Sequence, residues 1–359
     1  MSEKLQFSIA KSLSAVPREA WNALANPPGQ PYHPFTDWDF LEALESSGCA
    51  TPRTGWAPHH LLAYDGDRLA GAAPMYLKSH SSGEYIFDHA WANAFERAGG
   101  QYYPKLLCVI PFTPATGPRL LTAGDATVES ALLNAMASVA EQSHLSSANL
   151  NFLTEEQAAL CEAEGMLIRH DQQFHFENHG YTNFDDFLAA LSSDKRKNLR
   201  KERKRAQEGV EILSLSGADL TTEHWDFFFR CYQDTGSRKW GSPYLNRKFF
   251  ALIHERMADK VLLVIARCLE QDRYIASALN FIGGDALYGR YWGCTEDRKF
   301  LHFELCYYQA IDAALARGLK RVEAGAQGEH KLARGYAPIR TTSAHYVVDP
   351  GFRRALEDY

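Results

Sequence analysis

The chain has 359 residues, of which 45% are hydrophobic and 12% aromatic, and its formal net charge is −6. This composition supports a sizeable core and excludes a disordered protein, and the length suggests two or three domains. The mild acidity excludes a protein that coats nucleic acid with its whole surface, so any contact with phosphates requires a local basic patch.

Two halves of the sequence repeat the same order of predicted elements. Each half reads as a strand, two helices and an antiparallel hairpin, whose turn is DGDR in the first half and EQDR in the second. Trp21 and Trp225 lie 204 positions apart, and the Asp-Arg pairs at 67–68 and 272–273 lie 205 apart. A near-constant offset across several elements indicates a duplicated domain.

Each hairpin is followed by a further strand, a long helix and a short strand. These elements are predicted at 105–112, 126–142 and 147–153 in the first half, and at 286–293, 300–318 and 321–326 in the second. Antiparallel strands followed by a strand–helix–strand crossover indicate a mixed α/β sheet. We therefore predict two domains, 1–180 and 181–359.

The second half opens with a predicted helix, 193–207, that is densely basic. Eight of the eleven residues from 195 to 205 are Lys or Arg, and Glu202 is the only acid among them. Four of the basic residues share one side of the helix: Arg196, Arg200, Arg203 and Lys204. We predict that this side binds phosphates of tRNA or of an anionic lipid-linked precursor. The alternative is a solvated linker helix.

Other features of the sequence favour a cytoplasmic protein. The seven cysteines include no Cys-x-x-Cys pair, which favours reduced thiols. The N-terminus lacks the apolar core of a signal peptide, and the longest apolar run, 261–266, is too short to span a bilayer. His175 and His179 would lie roughly 13 Å apart on a strand, too far to share a metal ion. We expect no metal and no tightly bound cofactor.

Four long segments carry the most distinctive sequence. They are residues 76–121 (YLKSHSSGEYIFDHAW…GPRLL), 184–206 (FDDFLAALSSDKRKNLRKERKRA), 234–245 (DTGSRKWGSPYL) and 288–338 (YGRYWGCTEDRKF…EHKLARGYAP). Together they resemble the FemAB-like family of tandem GNAT acyltransferase domains, whose members are often labelled peptidoglycan biosynthesis proteins. The resemblance implies an α/β fold with a mixed α+β sheet in each of two GNAT-like domains. It also implies kinship with enzymes that move an amino acid from aminoacyl-tRNA to an amine of a cell-wall precursor.

The sequence departs from the GNAT pattern where most GNAT domains bind acetyl-CoA. The usual glycine-rich loop would hold the CoA pyrophosphate with backbone N–H groups. The second half has CTEDRKFLHFEL there, without glycine, and the first half has PFTPATGPRLL, with only Gly117 and Arg119. This departure weakens the acetyl-CoA hypothesis and leaves acyl-CoA and aminoacyl-tRNA as candidate co-substrates.

The polar stretch 323–338 supplies the candidate catalytic residues. Acyl transfer to an amine needs a base, a stabilised oxyanion and an acid for the leaving group. We predict Glu323 or Glu329 as the base and Tyr336 as the acid. Lys331 is predicted to stabilise the oxyanion or a donor phosphate, and it resembles the lysine after the corresponding strand in the aminoacyl-transferring relatives. The alternative is a solvent-facing helix start.

Further residues are predicted to contact substrate. Arg334 suits a bidentate contact with carboxylate or phosphate, and Arg290 and Trp292 share one face of their strand. Lys239 and Trp240 stand side by side in a predicted loop. A polar cluster in the first half is predicted to line the acceptor pocket: Lys78, His80, Glu84, Tyr85 and Asp88. For each group the alternative is a structural role, as an ion pair, a core tryptophan or an ordered loop.

These features favour an enzyme, an acyl- or aminoacyltransferase acting on an amine-bearing small molecule or a peptidoglycan precursor. The second domain is expected to host transfer, the first to form the acceptor side, and the basic helix to contact tRNA. Two alternatives remain open. One is a non-catalytic binding module that kept the fold, and the other is a CoA-dependent N-acetyltransferase for a small amine.

Overall fold

The computed structural model describes residues 5–86, 88–239, 243–325 and 328–358, with the backbone only at 236–239 and 329. The chain divides into two compact units. Unit 1 consists of Met1–Asp171 and Thr341–Tyr359, and unit 2 consists of Gln172–Arg340.

The strands are β1 (Gln6–Ala10), β2 (Trp56–Pro58), β3 (His60–Asp65), β4 (Arg68–Ala73), β5 (Met75–Lys78), β6 (Lys105–Cys108), β7 (Ser147–Leu150), β8 (Leu167–Glu177), β9 (Val210–Leu215), β10 (Val261–Cys268), β11 (Arg273–Ile282), β12 (Ala286–Cys294), β13 (Arg321–Glu323) and β14 (Ala337–Val347). The α-helices are α1 (Arg18–Ala25), α2 (Trp38–Ser46), α3 (His89–Arg97), α4 (Ala126–Gln142), α5 (Glu155–Ala163), α6 (Phe184–Ala189), α7 (Ser193–Ala206), α8 (Thr222–Lys239), α9 (Arg247–Met257), α10 (Leu301–Phe303), α11 (Gln309–Ala316) and α12 (Pro350–Glu357). A π-helical turn (Glu304–Tyr308) joins α10 to α11, and 3₁₀ helices cover Leu13–Ala15, Pro52–Thr54, Gly217–Asp219, Ala258–Lys260 and Glu329–Arg334.

In unit 1, β1, β3 and β4 form one antiparallel sheet, and β2, β5, β6, β7 and β14 follow one another in a second. β6 runs parallel to β7, from Leu106 opposite Ala148 to Cys108 opposite Leu150. The crossover between them is α4, which packs against β3, β4 and β7. α4 begins where Asp125 accepts hydrogen bonds from two backbone N–H groups of its first turn.

In unit 2, the strand order is β8, β13, β12, β11, β10, β9. β12 runs parallel to β13, and α11, the crossover between them, packs against both strands. α8 packs against β11 and β12. Apolar residues of β10 to β13 and of α11 form one buried core that includes Leu287, Ile311 and Val322. Burial of this apolar surface is the main force that holds the layers together.

The two units repeat one pairing order, which confirms the predicted pair of GNAT-like mixed α/β domains. In unit 2 the hairpin β10–β11 is followed by β12 (antiparallel to β11), β13 (parallel to β12) and β8 (antiparallel to β13). In unit 1 the hairpin β3–β4 lies in its own sheet with β1, and the same antiparallel, parallel and antiparallel pairs run from β5 through β6 and β7 to β14. The final strands are exchanged along the chain. β8 follows the first repeat but pairs with β13, whereas β14, near the C-terminus, pairs with β7. This exchange explains why Thr341–Tyr359 belongs to unit 1, although the sequence prediction placed 181–359 in one domain.

Candidate transfer site

β12 and β13 separate at one end of their parallel pairing. Their last paired residues are Tyr288 and Glu323, after which β12 continues beside β11 to Cys294. Opposite Leu279 and Asn280 the register of β12 shifts, so that Arg290 occupies a bulge. A bulge bends and twists its strand, and this bulge lies two residues past Tyr288, where the pairing of β12 with β13 ends. This separation, which we call the split, lies at the start of the polar stretch 323–338, in which the candidate catalytic residues were predicted.

Lys331 lies on the 3₁₀ helix Glu329–Arg334, and its side chain reaches back to the end of β13. Its Nζ donates hydrogen bonds to the carbonyl oxygens of Ala324 at 2.5 Å and Gly325 at 3.0 Å. The residue is only 3% exposed, and burial lowers the pKa of Lys331 to about 8. A buried ammonium held by neutral carbonyls is suited to stabilise negative charge that develops beside it.

Glu323, the last residue of β13, is also buried. Its Oε1 accepts a hydrogen bond from Arg321 Nε at 3.0 Å, and its Oε2 lies 3.8 Å from His175 Nε2. Within the described residues, neither Glu323 Oε2 nor His175 Nε2 has a hydrogen-bond partner. Burial raises the pKa of Glu323 to about 6, although Arg321 opposes the shift, and burial lowers the pKa of His175 to about 4. A carboxylate with a pKa near 6 and one oxygen free of hydrogen bonds suits a general base.

The side chains of Arg334 and Tyr336 bond to other groups of unit 2. Nη2 of Arg334 lies 2.9 Å from both carboxylate oxygens of Glu202, and the guanidinium stacks 3.4 Å from the Phe303 ring centroid. The buried Tyr336 donates to the carbonyl of Tyr307 at 3.3 Å, and burial raises the pKa of Tyr336 well above its ordinary value. Arg334 therefore fastens the 3₁₀ helix to α7, and Tyr336 belongs to the core of unit 2.

Arg290 and Trp292 lie on the part of β12 that extends past the split. The half-buried Arg290 guanidinium lies 5.2 Å from the Tyr291 ring centroid. The Trp292 ring meets His302 edge-on, with 5.1 Å between centroids. Both residues stay candidates for substrate contact, because they flank the region where the two strands part.

Three predicted residues fall wholly or partly outside the described residues. α8 continues through Lys239, so this residue ends a helix and does not stand in the predicted loop. The Lys239 side chain, the whole of Trp240 and the Glu329 side chain lie outside what the structure describes.

On the side of α7 that was predicted to bind phosphates, two of the arginines form ion pairs with acids of the protein. Arg203 faces the helices of unit 2, where it pairs with Glu304 at 3.2 Å and with Asp312. Arg200 pairs on the surface with Asp185 at 3.0 Å. Arg203 is thus committed to an internal ion pair, and the predicted face is not a continuous anion-binding surface.

A groove of about 610 Å³, which we call the α7 groove, lies along another side of α7. Its basic residues are Lys195, Lys201, Lys204, Arg205, Lys299 and Arg334. Its two acids are each held by an arginine, Glu202 by Arg334 and Glu208 by Arg205 at 3.2 Å. Of the four predicted phosphate-binding residues, only Lys204 lines this groove.

In unit 1, two residues of the polar cluster predicted to line an acceptor pocket, Glu84 and Asp88, belong to a buried ion-pair network around Lys105. The Lys105 Nζ donates to Glu84 at 2.8 Å, to Ser81 at 3.0 Å and to Asp88. Asp88 also accepts a hydrogen bond from Tyr102 at 2.7 Å. Burial raises the pKa of Glu84 to about 7. Lys105 was missed in the sequence, yet a lysine that opens the apolar run KLLC signals a buried cation that needs acidic partners.

The other members of this cluster are tied to nearby groups. Lys78 is buried with its Nζ 3.5 Å from the Trp56 ring centroid, and burial lowers the pKa of Lys78 to about 7. His80 Nε2 lies 3.1 Å from the Thr54 carbonyl oxygen. Tyr85 is half-buried and has a left-handed φ of 58°. Of the five predicted residues, Glu84 and Asp88 thus belong to the Lys105 network, whereas Lys78 packs on Trp56 and His80 contacts Thr54.

Arg119, in the loop of unit 1 that replaces the glycine-rich GNAT turn, is fully buried. Its guanidinium donates to the carbonyls of Asn151 at 2.8 Å, Ala115 at 2.6 Å and Gly117 at 3.1 Å. These bonds hold the loop together and occupy the guanidinium that a phosphate would otherwise bind.

The described residues include neither a metal-ligand cluster nor a helix that could span a membrane. No group of three or more His, Cys, Asp or Glu side chains is placed to hold a metal ion there. In the same part of the chain, no helix combines the length and the apolar character needed to cross a bilayer.

The repeated sheet order and the split after a parallel strand pair define a tandem GNAT fold. The chain belongs to the FemAB-like family, described as peptidoglycan biosynthesis/recognition, whose model matches residues 12–359. No curated protein matches it in sequence.

Solved structures share the fold at low sequence identity. FemX is 12% identical with a TM-score of 0.58, and the match covers 95% of this chain and 98% of FemX. L-PGS from Bacillus licheniformis is 10% identical with a TM-score of 0.54, covering 92% and 97%. A tandem GNAT protein from the clavulanic acid biosynthesis pathway is 11% identical with a TM-score of 0.51, covering 97% and 99%.

Proposed function

We propose that this protein is a cytoplasmic transferase that moves an acyl or aminoacyl group onto an amine of a peptidoglycan precursor. The observation that carries the proposal is the buried Lys331 ammonium at the end of β13, where the two strands part. Membership of a family described as peptidoglycan biosynthesis/recognition supports the acceptor class. In unit 1, the candidate residues for binding the acceptor remain Lys78, His80, Glu84, Tyr85 and Asp88.

The chemistry needs no covalent enzyme intermediate. Glu323 would accept the proton of the attacking ammonium, and the amine nitrogen would then form a bond with the donor carbonyl carbon. Lys331 would stabilise the resulting oxyanion. The nitrogen of the tetrahedral intermediate would release its second proton to solvent. When the intermediate collapses, the bond between carbon and leaving group breaks, and the proton held by Glu323 moves to the leaving group. That group is a ribose hydroxyl if the donor is aminoacyl-tRNA and a thiol if the donor is acyl-CoA.

A transfer assay tests this proposal. The purified protein is mixed with a muropeptide precursor and either aminoacylated tRNA or acetyl-CoA, and the products are resolved by mass spectrometry. We expect the precursor to gain the mass of one acyl or aminoacyl group, with the Lys331→Met variant as the inactive control. Binding of the precursor without any modification, from either donor, would instead identify a non-catalytic binding module.

The shifted pKa values of Glu323 and Lys331 predict a bell-shaped dependence of kcat/KM on pH. Activity should rise as pH passes about 6, because Glu323 must lose its proton to act as a base. It should fall above about 8, because Lys331 must keep its proton to stabilise the oxyanion. The Lys331→Arg variant should lose the alkaline limb, since guanidinium stays protonated. An alkaline limb that persists in this variant would assign that limb to another group.

A further inference from the structure

A serine, a histidine and an asparagine form a hydrogen-bonded triad in the sheet of unit 1. All three are at most 3% exposed. His345 on β14 lies directly opposite Asn149 on β7, and its Nδ1 lies 2.8 Å from the Asn149 Oδ1. Its Nε2 lies 2.9 Å from the hydroxyl of Ser343, two residues earlier on β14. A hydroxyl, an imidazole and an orienting amide in this order have the arrangement of a nucleophile with its base.

The direction of each hydrogen bond in the triad follows from the contacts of its asparagine. The Asn149 amide nitrogen donates to the carbonyl oxygen of Leu106 at 3.2 Å. Its oxygen therefore faces His345 and accepts the proton on Nδ1, because an amide oxygen can only accept. Burial, with the help of Lys105, lowers the pKa of His345 to about 3, so the imidazole is neutral and its Nε2 carries a lone pair. The Ser343 hydroxyl then donates to Nε2, which is the direction that attack by its oxygen requires.

Two buried side chains near Ser343 have polar atoms without a hydrogen-bond partner in the part of the chain that the structure describes. They are the Thr341 hydroxyl and both amide atoms of Asn151. Thr341 precedes Ser343 by two positions on β14, so the two side chains share a face of the strand. Asn151 directly follows the pair of Leu150 with Ala344, at the end of the β7–β14 pairing. A buried donor without a partner is costly, and both side chains can donate to an oxyanion that forms beside Ser343.

An apolar groove of about 570 Å³ comes within one side chain of the triad. We call it the α3 groove, because α3 and the residues after it line it together with α12. The Trp91 ring lines this groove and also meets the His345 ring edge-on, with 4.9 Å between centroids. Phe95 and Phe352, whose rings stack at 4.4 Å, line it as well. The groove therefore suits an apolar chain. Displacement of Trp91 would connect it with the triad, which Ser343 requires because it is only 1% exposed.

We propose that Ser343, His345 and Asn149 form a further catalytic site, which hydrolyses a carboxylic ester whose apolar acyl chain lies in the α3 groove. The Ser343 oxygen forms a bond with the ester carbonyl carbon, and its proton moves to His345 Nε2. The bond to the alcohol oxygen breaks as that oxygen takes the proton, which leaves an acyl-serine. Water then bonds to the acyl carbon and gives a proton to His345. The acid is released as this proton returns to Ser343. Thr341 and Asn151 donate to the oxyanion in both steps.

Labelling of the full chain with an alkyl fluorophosphonate tests the proposal, because this probe loses fluoride to an activated serine. Labelling is followed by peptide mass spectrometry, since an imidazole of low basicity makes ester turnover slow. We expect one adduct, on Ser343, and none there in the Ser343→Ala variant. His345→Gln should slow labelling by about tenfold or more. The matched control, Ser146→Ala, removes a buried hydroxyl that donates to the Tyr102 carbonyl and should leave the rate unchanged.

Two further measurements test the groove. Trp91→Ala should speed labelling, because it removes the ring that contacts both the α3 groove and His345. Excess p-nitrophenyl butyrate should protect Ser343 from the probe. Circular dichroism verifies that the variants are folded.

Three results would overturn the proposal. The first is no adduct on Ser343 in either the parent protein or the Trp91→Ala variant. The second is an equal labelling rate in the parent and the His345→Gln variant, and the third is no protection by the ester. Each would leave the triad as a network that only joins β7 to β14. The outcome is independent of the proposed transfer, because the triad shares no residue with the split.

Discussion

Replacing Lys331 by methionine should lower kcat by about 10²- to 10³-fold, which is the usual effect of removing one oxyanion donor. Methionine keeps an unbranched, apolar side chain in the buried site but removes the ammonium. The protein should stay folded, because the change also removes a charge that burial disfavours. The measurement is single-turnover transfer, with urea unfolding as the test of fold.

The matched control for this variant is Lys320→Met. Lys320 is exposed and precedes β13, so the same substitution there should leave kcat within about twofold. Equal rates for the Lys331→Met variant and the parent protein would remove Lys331 from the mechanism and leave it as a residue that only fastens the loop after β13.

Replacing Lys105 by methionine should destabilise the protein by about 3–5 kcal/mol, since it leaves Glu84 and Asp88 buried without their cation. The loss should shrink as pH falls. Without Lys105 the folded pKa of Glu84, which burial already raises, rises further, and that of Asp88, which Lys105 helps to keep low, rises above its unfolded value. Protonation of both carboxyl groups at lower pH then removes the cost of the buried charges. Urea unfolding at neutral and at mildly acidic pH measures both effects.

A neutral version of the network provides the control. Combining Lys105→Met with Glu84→Gln and Asp88→Asn removes all three charges, and it should recover most of the lost free energy of unfolding. A triple variant as unstable as Lys105→Met would show that packing at position 105, and not the unpaired charges, causes the loss.

The fold could be predicted because its signals are local and repeated. The helix at 126–142 and the strand that begins at Ala286 follow from apolar periodicity, and the offset of the repeat linked the two halves. The exchange of β8 and β14 could not be predicted in this way. It depends on which distant strand completes each sheet, and two repeats with the same order of elements offer equivalent edges.

For the site, too, the sequence predicted local features better than contacts between distant residues. Basic residues surround α7 on several sides, so helical spacing alone does not tell which of them face inward. The apolar residues of the helix did indicate its inward face. Leu199 and Ala206 are its buried positions, and Arg203 lies between them on the same face. Likewise, Arg321 and Glu323 lie two positions apart on β13 and so share a face, which places the cation beside the carboxylate.

The most direct test of the account is a crystal structure of the protein with a phosphonate that mimics the tetrahedral intermediate of acyl transfer. The account predicts the phosphonate in the split between β12 and β13, with one of its oxygens within about 3.2 Å of Lys331 Nζ. A phosphonate bound elsewhere, with Lys331 still bonded only to the carbonyls of Ala324 and Gly325, would contradict transfer at this site.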